Sequence, residues 1–339
     1  MLTKPPLTDQ EITACLHSAY GFDVEAISFL PLGFDFNTAV YRITINNGAD
    51  YFLKLRSSEF LEASVSVPKY LAGLGLKSVI EPLTTKAGQL WTNLDAFKAI
   101  LYPYVEGRNG VEAKLSEDQW AQFGATLKRL HNTDIPNNVT NDLQQEKFSS
   151  KWRGAVKAFL MGITKEVFKE PVAVKTVEFL QSKSSEILKI IERAEELAIA
   201  LQTQLPKYVL CHADIHGWNL IVDQEGALYI VDWDTLIFAP KERDLMFIGA
   251  GIWDSSLTSA EEESLFYRGY GQTEINPDAI AYYRFERIIQ DIGEYCEHIF
   301  LSDEGGDDRM QCLEHLQPVF LPNGAIEKAY QAYKRRKRE

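Results

Sequence analysis

The chain has 339 residues, 45% hydrophobic and 24% charged, with 35 Lys and Arg against 48 Asp and Glu and a formal net charge of −13. This is a globular composition, and it excludes a disordered chain, a fibrous repeat and a small disulfide scaffold. The acidic balance gives no general attraction to nucleic acid or to an anionic membrane, and it favours a neutral or cationic small-molecule partner.

In chain order, Pro5 to Tyr20 reads as an amphipathic helix with Thr8 as its N-cap. Strand patterns follow at Ala26 to Leu32, Thr38 to Ile45 and Tyr51 to Leu55, the last two joined by the hairpin signal Asn46-Asn47-Gly48. Glu59 to Leu74 reads as a helix, and Gly88 to Leu94 and Phe97 to Tyr104 as strands. Pro103 to Gly110 reads as a connector. Trp120, Phe123, Leu127 and Leu130 then recur at helical offsets. A long helix is expected over Phe179 to Leu205. Short strands at Tyr208 to Cys211, Leu220 to Val222 and Leu228 to Val231 come next, and helices run to the end. The plan is α+β, with a sheet-rich N-lobe over 1–104 and a helix-rich C-lobe over 105–339.

No apolar run approaches the ~18 residues of a membrane span, and MLTKPPLTDQ has no signal-peptide core. Cys15, Cys211, Cys296 and Cys312 form neither a CxxC pair nor zinc spacing. A cytoplasmic protein with reduced, buried thiols is expected.

The segment YVLCHADIHGWNLIVDQEGALYIVDWD, residues 208 to 234, carries the chemistry. It places Asp214, Asn219 and Asp232 at strand ends around a hairpin whose turn is Asp223 to Gly226. Phosphoryl transfer needs a carboxylate to take the acceptor's proton and hard oxygen ligands to hold Mg2+ against the phosphates. Asp214 stands five residues before Asn219 and 18 before Asp232. His212-x-Asp214-x-x-x-x-Asn219 follows the kinase catalytic-loop spacing, and IVDWD stands where the metal-binding aspartate is expected. His212 reads as structural; His216 is open between a phosphate contact and loop ordering. Lys54, inside the strand YFLKL, is the cation expected on the nucleotide phosphates. Its expected partner is Glu62, with Glu59 as runner-up. The phosphate-covering loop is LPLGFDFNT, with Gly33, Asn37 and Thr38 as candidate contacts, although it lacks the G-x-G-x-x-G pattern. Adenine is expected along Leu101, Tyr102 and Tyr104.

With YFLKL and Glu62, AILYPYVEGRNG, YVLCHADIHGWN, YIVDWD and APKERDLMFIGAG, nearly the whole chain resembles the aminoglycoside phosphotransferase family, which has a bilobal protein-kinase-like fold. Within it the chain is most similar to the spectinomycin phosphotransferase branch. The resemblance implies an enzyme that uses ATP and Mg2+ to phosphorylate an antibiotic hydroxyl and so confers resistance. It further implies Asp214 as base, Asn219 and Asp232 as metal ligands, Lys54 on the α- and β-phosphates with Glu62 as its partner, and Leu101 to Tyr104 as hinge.

A cationic aminocyclitol calls for carboxylates. Residues 286 to 314 hold nine acidic and two basic residues, so Glu286 and Asp291 are acceptor candidates, along with Asp234 and Trp218. Trp152, Trp253 and Tyr102 are candidates for an apolar floor. Glu242-Arg243-Asp244 is expected to begin a helix and form an internal ion pair. Other readings are a metabolic kinase of the same fold (for choline, homoserine, a fructosamine or a thio-sugar), a metallohydrolase using His212-x-Asp214-x-His216, and a non-catalytic nucleotide-binding module.

Overall fold

The computed structural model describes residues 4–33, 35, 37–57, 60–163, 168–204, 206–250, 256–301 and 306–335. In chain order they form α1 (Asp9–Tyr20), β1 (Val24–Leu30), β2 (Thr38–Ile45), β3 (Asp50–Arg56), α2 (Ala63–Gly73), β4 (Thr92–Leu94), β5 (Phe97–Pro103), β6 (Gly107–Asn109), α3 (Gly110–Ala113) and α4 (Glu117–Asn132). There follow α5 (Lys151–Gly162), α6 (Pro171–Gln204), β7 (Tyr208–Cys211), β8 (Leu220–Asp223), β9 (Leu228–Ile230), β10 (Ile237–Pro240), α7 (Glu242–Leu245), α8 (Ser259–Tyr270), α9 (Pro277–Leu301), α10 (Gly306–Leu316) and α11 (Ala325–Arg335). The α+β plan is as expected, strands first and helices after. Two compact units result, 1–144 with 214–236, and 145–213 with 237–339.

The first unit is built on an antiparallel sheet in the order β1-β2-β3-β5-β4. The β2–β3 hairpin closes where Asn-Gly chemistry predicts. Gly48 adopts φ +82° and its N–H bonds the Ile45 carbonyl at 2.7 Å. Ile12 and Leu16 of α1 pack with Tyr41, Ile43, Leu53 and Leu55 of the sheet. Each such fully buried side chain contributes about 1.5–3 kcal/mol. Lys54 lies mid-strand in β3, opposite Val40 on one side and Ile100 on the other.

A second, three-stranded sheet, β6-β8-β9, carries the hairpin downstream of residue 214. The connector after β5 is therefore partly strand, since Gly107 to Asn109 pair with Ile221 to Asp223. Glycine is required at 107, where a Cβ would sit 2.4 Å from the Val222 carbonyl oxygen. The expected stripe of α4 is buried, Trp120, Phe123, Leu127 and Leu130 all being 1% exposed or less.

Two elements of this unit depart from the sequence reading. The strand expected over 88 to 94 is reduced to Thr92–Leu94, because the backbone of 85 to 89 is committed to a tight turn around Gly88 (φ +79°). Helix α2 begins at Ala63 rather than Glu59, and residues 58 and 59 lie outside the described set. The Ala63 N–H is met by the carboxylate of Asp142, at 3.3 Å, so a residue 79 positions away caps the first turn.

In the second unit the long helices α6 and α9 pack together, with α5, α10 and α11 against α9. α6 begins at Pro171, earlier than expected, because the Glu170 carboxylate accepts the N–H groups of Val172 and Ala173 at 3.1 and 2.8 Å. Phe285, Ile288, Ile289, Ile292, Cys296 and Ile299 form the buried face of α9, as the helical wheel predicts. Gly293 lets Trp152 sit on that helix, since a Cβ there would lie 2.5 Å from the indole ring. Trp152 thus packs on α9, while Trp253 lies outside the described residues. The four cysteines are free thiols, three buried and Cys15 half-buried. No described helix is long and apolar enough to cross a membrane.

Candidate active site

The loop after residue 213 is folded by its own polar groups. The Asn219 amide Nδ2 donates to the Asp214 carbonyl at 2.8 Å and to its Oδ2 at 3.3 Å. The Asn219 side-chain oxygen is the end of that amide suited to a cation. His216 Nε2 lies 3.4 Å from Asp214 Oδ1, and the His216 N–H bonds the Asp214 carbonyl, which bends the loop back on itself. The Val231 N–H donates to the Asn219 carbonyl at 3.0 Å, bringing the segment before Asp232 alongside Asn219. Asp232 then adopts φ 64°, ψ 68°. A left-handed conformation in a non-glycine residue costs of order 1 kcal/mol and marks places where a side chain is aimed at some cost to the backbone.

Lys54 arrives from β3 across 178 positions of sequence. Its Nζ lies 2.7 Å from Asp232 Oδ1 and 2.7 Å from Asp234 Oδ2. Burial by itself disfavours the ammonium charge. The two carboxylates outweigh it, so the Lys54 pKa is raised and the group stays charged. Arg56, two residues on and on the same face of β3, bonds Asp234 as well, and its Nη1 is 2.9 Å from Asp35 Oδ2. Asp214 and Asn219 are thus tied through the Val231 backbone bond to the segment that carries a connected set of Asp232, Lys54, Asp234, Arg56 and Asp35, all within the first unit.

Among the described residues Lys54 and Glu62 are not paired. Glu62 is exposed at the N-cap of α2, and Lys54 is taken by the two aspartates. Gly33 is exposed at φ +83°, a conformation that accounts for the single glycine of its loop. Thr38 is buried at the start of β2 with its hydroxyl on Asp35, and Asn37 is exposed with its carbonyl held by the Ser57 N–H at 2.9 Å. Along the expected hinge, Leu101 is buried and its carbonyl accepts from Leu83 at 2.7 Å, while the Tyr104 N–H bonds Asp50. Tyr102 is half-buried, and burial raises its hydroxyl pKa against the opposing charge of Lys54.

Of the acceptor candidates, Asp234 belongs to the Lys54–Arg56 cluster and Trp218 is 59% exposed, unusual for a tryptophan. The acidic candidates of α9 carry arginines. Glu286 Oε2 is 2.5 Å from buried Arg153, and Asp291 is 2.8 Å from Arg287 one turn away. The acidic stretch read from sequence is thus partly neutralised by one arginine outside it and one within it. Burial pushes the Glu286 carboxyl up to about 7 despite Arg153. A carboxyl raised on folding binds its proton more tightly in the native state, so it stabilises the fold below about pH 4.5 and that contribution is lost as pH rises through about 7. Glu286→Gln is expected to flatten this part of the stability profile between pH 5 and 8, by on the order of 1–3 kcal/mol. Melting curves of both proteins across that range check it, and identical slopes would refute it.

Sequence reasoning missed Arg56 and Asp35. The period-2 pattern of β3 does put residues 54 and 56 on one face, but nothing local tells that Arg56 has two carboxylates to meet. It also did not foresee what Asp244, expected in an internal ion pair, does for the backbone. In the second unit this fully buried carboxylate accepts the backbone N–H groups of His212 and Ala213 at 3.0 and 2.6 Å, holding Ala213 at φ +67° immediately before residue 214.

A model described as the phosphotransferase enzyme family matches residues 27–283. Among solved structures, the chain is similar to spectinomycin phosphotransferase APH(9)-Ia in complex with ADP and spectinomycin. The TM-score is 0.89 at 32% identity, covering 97% of this chain and 99% of that one. It is also similar to amicoumacin kinase hAmiN in complex with AMP-PNP, Ca2+ and Ami (TM-score 0.63, 19% identity, 94% of this chain and 95% of that one). A third is choline kinase LicA from Streptococcus pneumoniae (TM-score 0.54, 16% identity, 98% and 99%). At these last two identities the likeness is one of fold. Among curated protein sequences there is no match.

Proposed function

The chain belongs to the phosphotransferase enzyme family, and from that membership we propose that it transfers the γ-phosphoryl group of ATP, with Mg2+, to a hydroxyl of an aminocyclitol antibiotic, spectinomycin foremost, and so confers resistance. The observation that carries this reading is the convergence of Lys54 on Asp232 at 2.7 Å, with Asn219 and Asp214 joined to the same turn. The acceptor assignment is supported by the 32% identity to a spectinomycin phosphotransferase over nearly the full length of both chains.

The donor set fits the metal. Asn219 and Asp232 offer an amide and a carboxylate oxygen, the hard ligands that Mg2+ takes, and they would hold it. Bound there, it would supply positive charge against the negative charge that develops during transfer. Asp214 orients the acceptor hydroxyl and takes its proton, its carboxylate steadied by Asn219. Lys54 serves the α- and β-phosphates. Gly33, Asn37 and Thr38 lie along the phosphates, and Leu101, Tyr102 and Tyr104 along the adenine. In this reading 1–104 is the nucleotide-binding lobe, and 105–339 supplies the base, the metal ligands and the acceptor site. Trp218 gives the acceptor an apolar face and Asp234 a carboxylate. Glu286 and Asp291 are the further carboxylates proposed for a cationic acceptor, and each already carries an arginine.

The test is ADP release with Mg2+ and ATP in the presence of spectinomycin, compared with streptomycin, kanamycin, choline and homoserine. Spectinomycin alone is expected to stimulate strongly, with a product heavier by one phosphoryl group. Stimulation by another acceptor instead would keep the transfer and move the substrate. Nucleotide binding with no stimulation by any of the five would overturn the acceptor assignment.

A further inference from the structure

We propose that Arg56 is a positioning residue that ties Asp35, and through it Asn37 and Thr38, to the Asp232–Asp234 turn. The inference rests on the phosphotransferase reading and deepens it.

Asp35 organises its own turn. Its Oδ1 accepts the Asn37 N–H at 2.8 Å, its Oδ2 accepts the Thr38 hydroxyl at 2.8 Å, and its carbonyl accepts the Thr38 N–H at 3.1 Å. Such a turn presets both Asn37 and Thr38, the two residues offered to the phosphates. Arg56 then joins three segments that are remote in sequence. Its Nη1 meets Asp35 Oδ2 at 2.9 Å, reaches the Thr38 hydroxyl at 3.5 Å, and bonds Asp234, which Lys54 shares. The side chains of Lys54, Arg56 and Asp234 are 11%, 14% and 15% exposed, so the two pairs made by Asp234 escape most of the screening that makes surface ion pairs weak.

Asp232 is the residue that would hold the metal. Asp234 is bonded by Arg56 as well as by Lys54, so Lys54 has a fixed partner that does not depend on Asp232. The same guanidinium holds Asp35, so the loop and the turn stay in register. A lysine at 56 keeps the charge on a flexible stem without the preorganised guanidinium, and serves these acceptors less well.

The experiment uses Arg56→Gln, Arg56→Lys, Asp35→Asn and the Arg56→Gln/Asp35→Asn double variant in the full chain. Asp35 is 39% exposed, so its variant carries little folding risk. Dissociation constants for Mg2+·AMP-PNP, melting temperatures, and KM for ATP against kcat are measured. Each single glutamine or asparagine variant is expected to weaken AMP-PNP binding about tenfold, with the loss mainly in KM for ATP. The double variant is expected to be little worse than the poorer single one, because both break one connection. Arg56→Lys is expected to restore part of the affinity. Lower melting temperatures with unchanged AMP-PNP affinity would overturn the proposal, and so would strictly additive losses. Wild-type protein that binds no adenine nucleotide would overturn the phosphotransferase reading as well. Wild-type binding with indifferent variants would overturn this inference alone.

Discussion

Asp214→Asn is expected to reduce turnover by about 10²–10⁴-fold, the usual worth of a positioned general base, while nucleotide affinity stays close to wild type. The substitution is chosen because it isolates the charge. Asparagine keeps a side-chain oxygen where Asn219 donates at 3.3 Å, and the stronger 2.8 Å bond from Asn219 goes to the main-chain carbonyl, which the variant retains. The loop should therefore hold its shape and lose only the carboxylate proposed to take the acceptor's proton. Single-turnover phosphoryl transfer, measured beside calorimetric ATP binding, separates the two quantities. Transfer at the wild-type rate by the Asp214→Asn protein would remove Asp214 from the chemistry.

Asp232→Asn is expected to lower turnover by about 10²–10³-fold, the range for deleting one group that stabilises transition-state charge, and to raise the Mg2+ concentration needed for half-maximal rate. Asparagine tolerates the left-handed backbone that Asp232 adopts, so the loss reports the carboxylate and not the conformation. The fold should suffer little. Removing one partner of a buried charge is severe when the charge is left alone, costing about 3–5 kcal/mol, but Lys54 keeps Asp234 at 2.7 Å. Asp232→Ala adds a backbone cost of about 1 kcal/mol at the same position. Mg2+ titrations of the rate, with melting temperatures alongside, test both statements. A Mg2+ dependence unchanged from wild type would remove Asp232 as a ligand.

Phosphotransfer follows from the family match over residues 27–283. The fold is shared by kinases acting on acceptors as unlike as choline and amicoumacin, so architecture does not choose the acceptor. The acceptor panel is therefore the decisive assay.

The sequence by itself determined what is periodic or local. The alternation of β2 and β3 and the Asn47-Gly48 turn specified a hairpin, and the stripes of α4 and α9 specified which faces are buried. The spacing of Asp214, Asn219 and Asp232 was legible for the same reason, since two strands and a tight turn bring such residues to one end of a hairpin. The tertiary structure alone decided who pairs with whom. Lys54 was expected to meet Glu62, eight residues on, and here meets aspartates 178 and 180 residues on. Helix α2 is capped by Asp142, and Glu286 is met by Arg153. An ion pair or a distant cap depends on a separation of a few ångströms between atoms far apart along the chain. Hydrophobic period and turn chemistry constrain only neighbours in sequence, so such partners become visible only once the chain is folded.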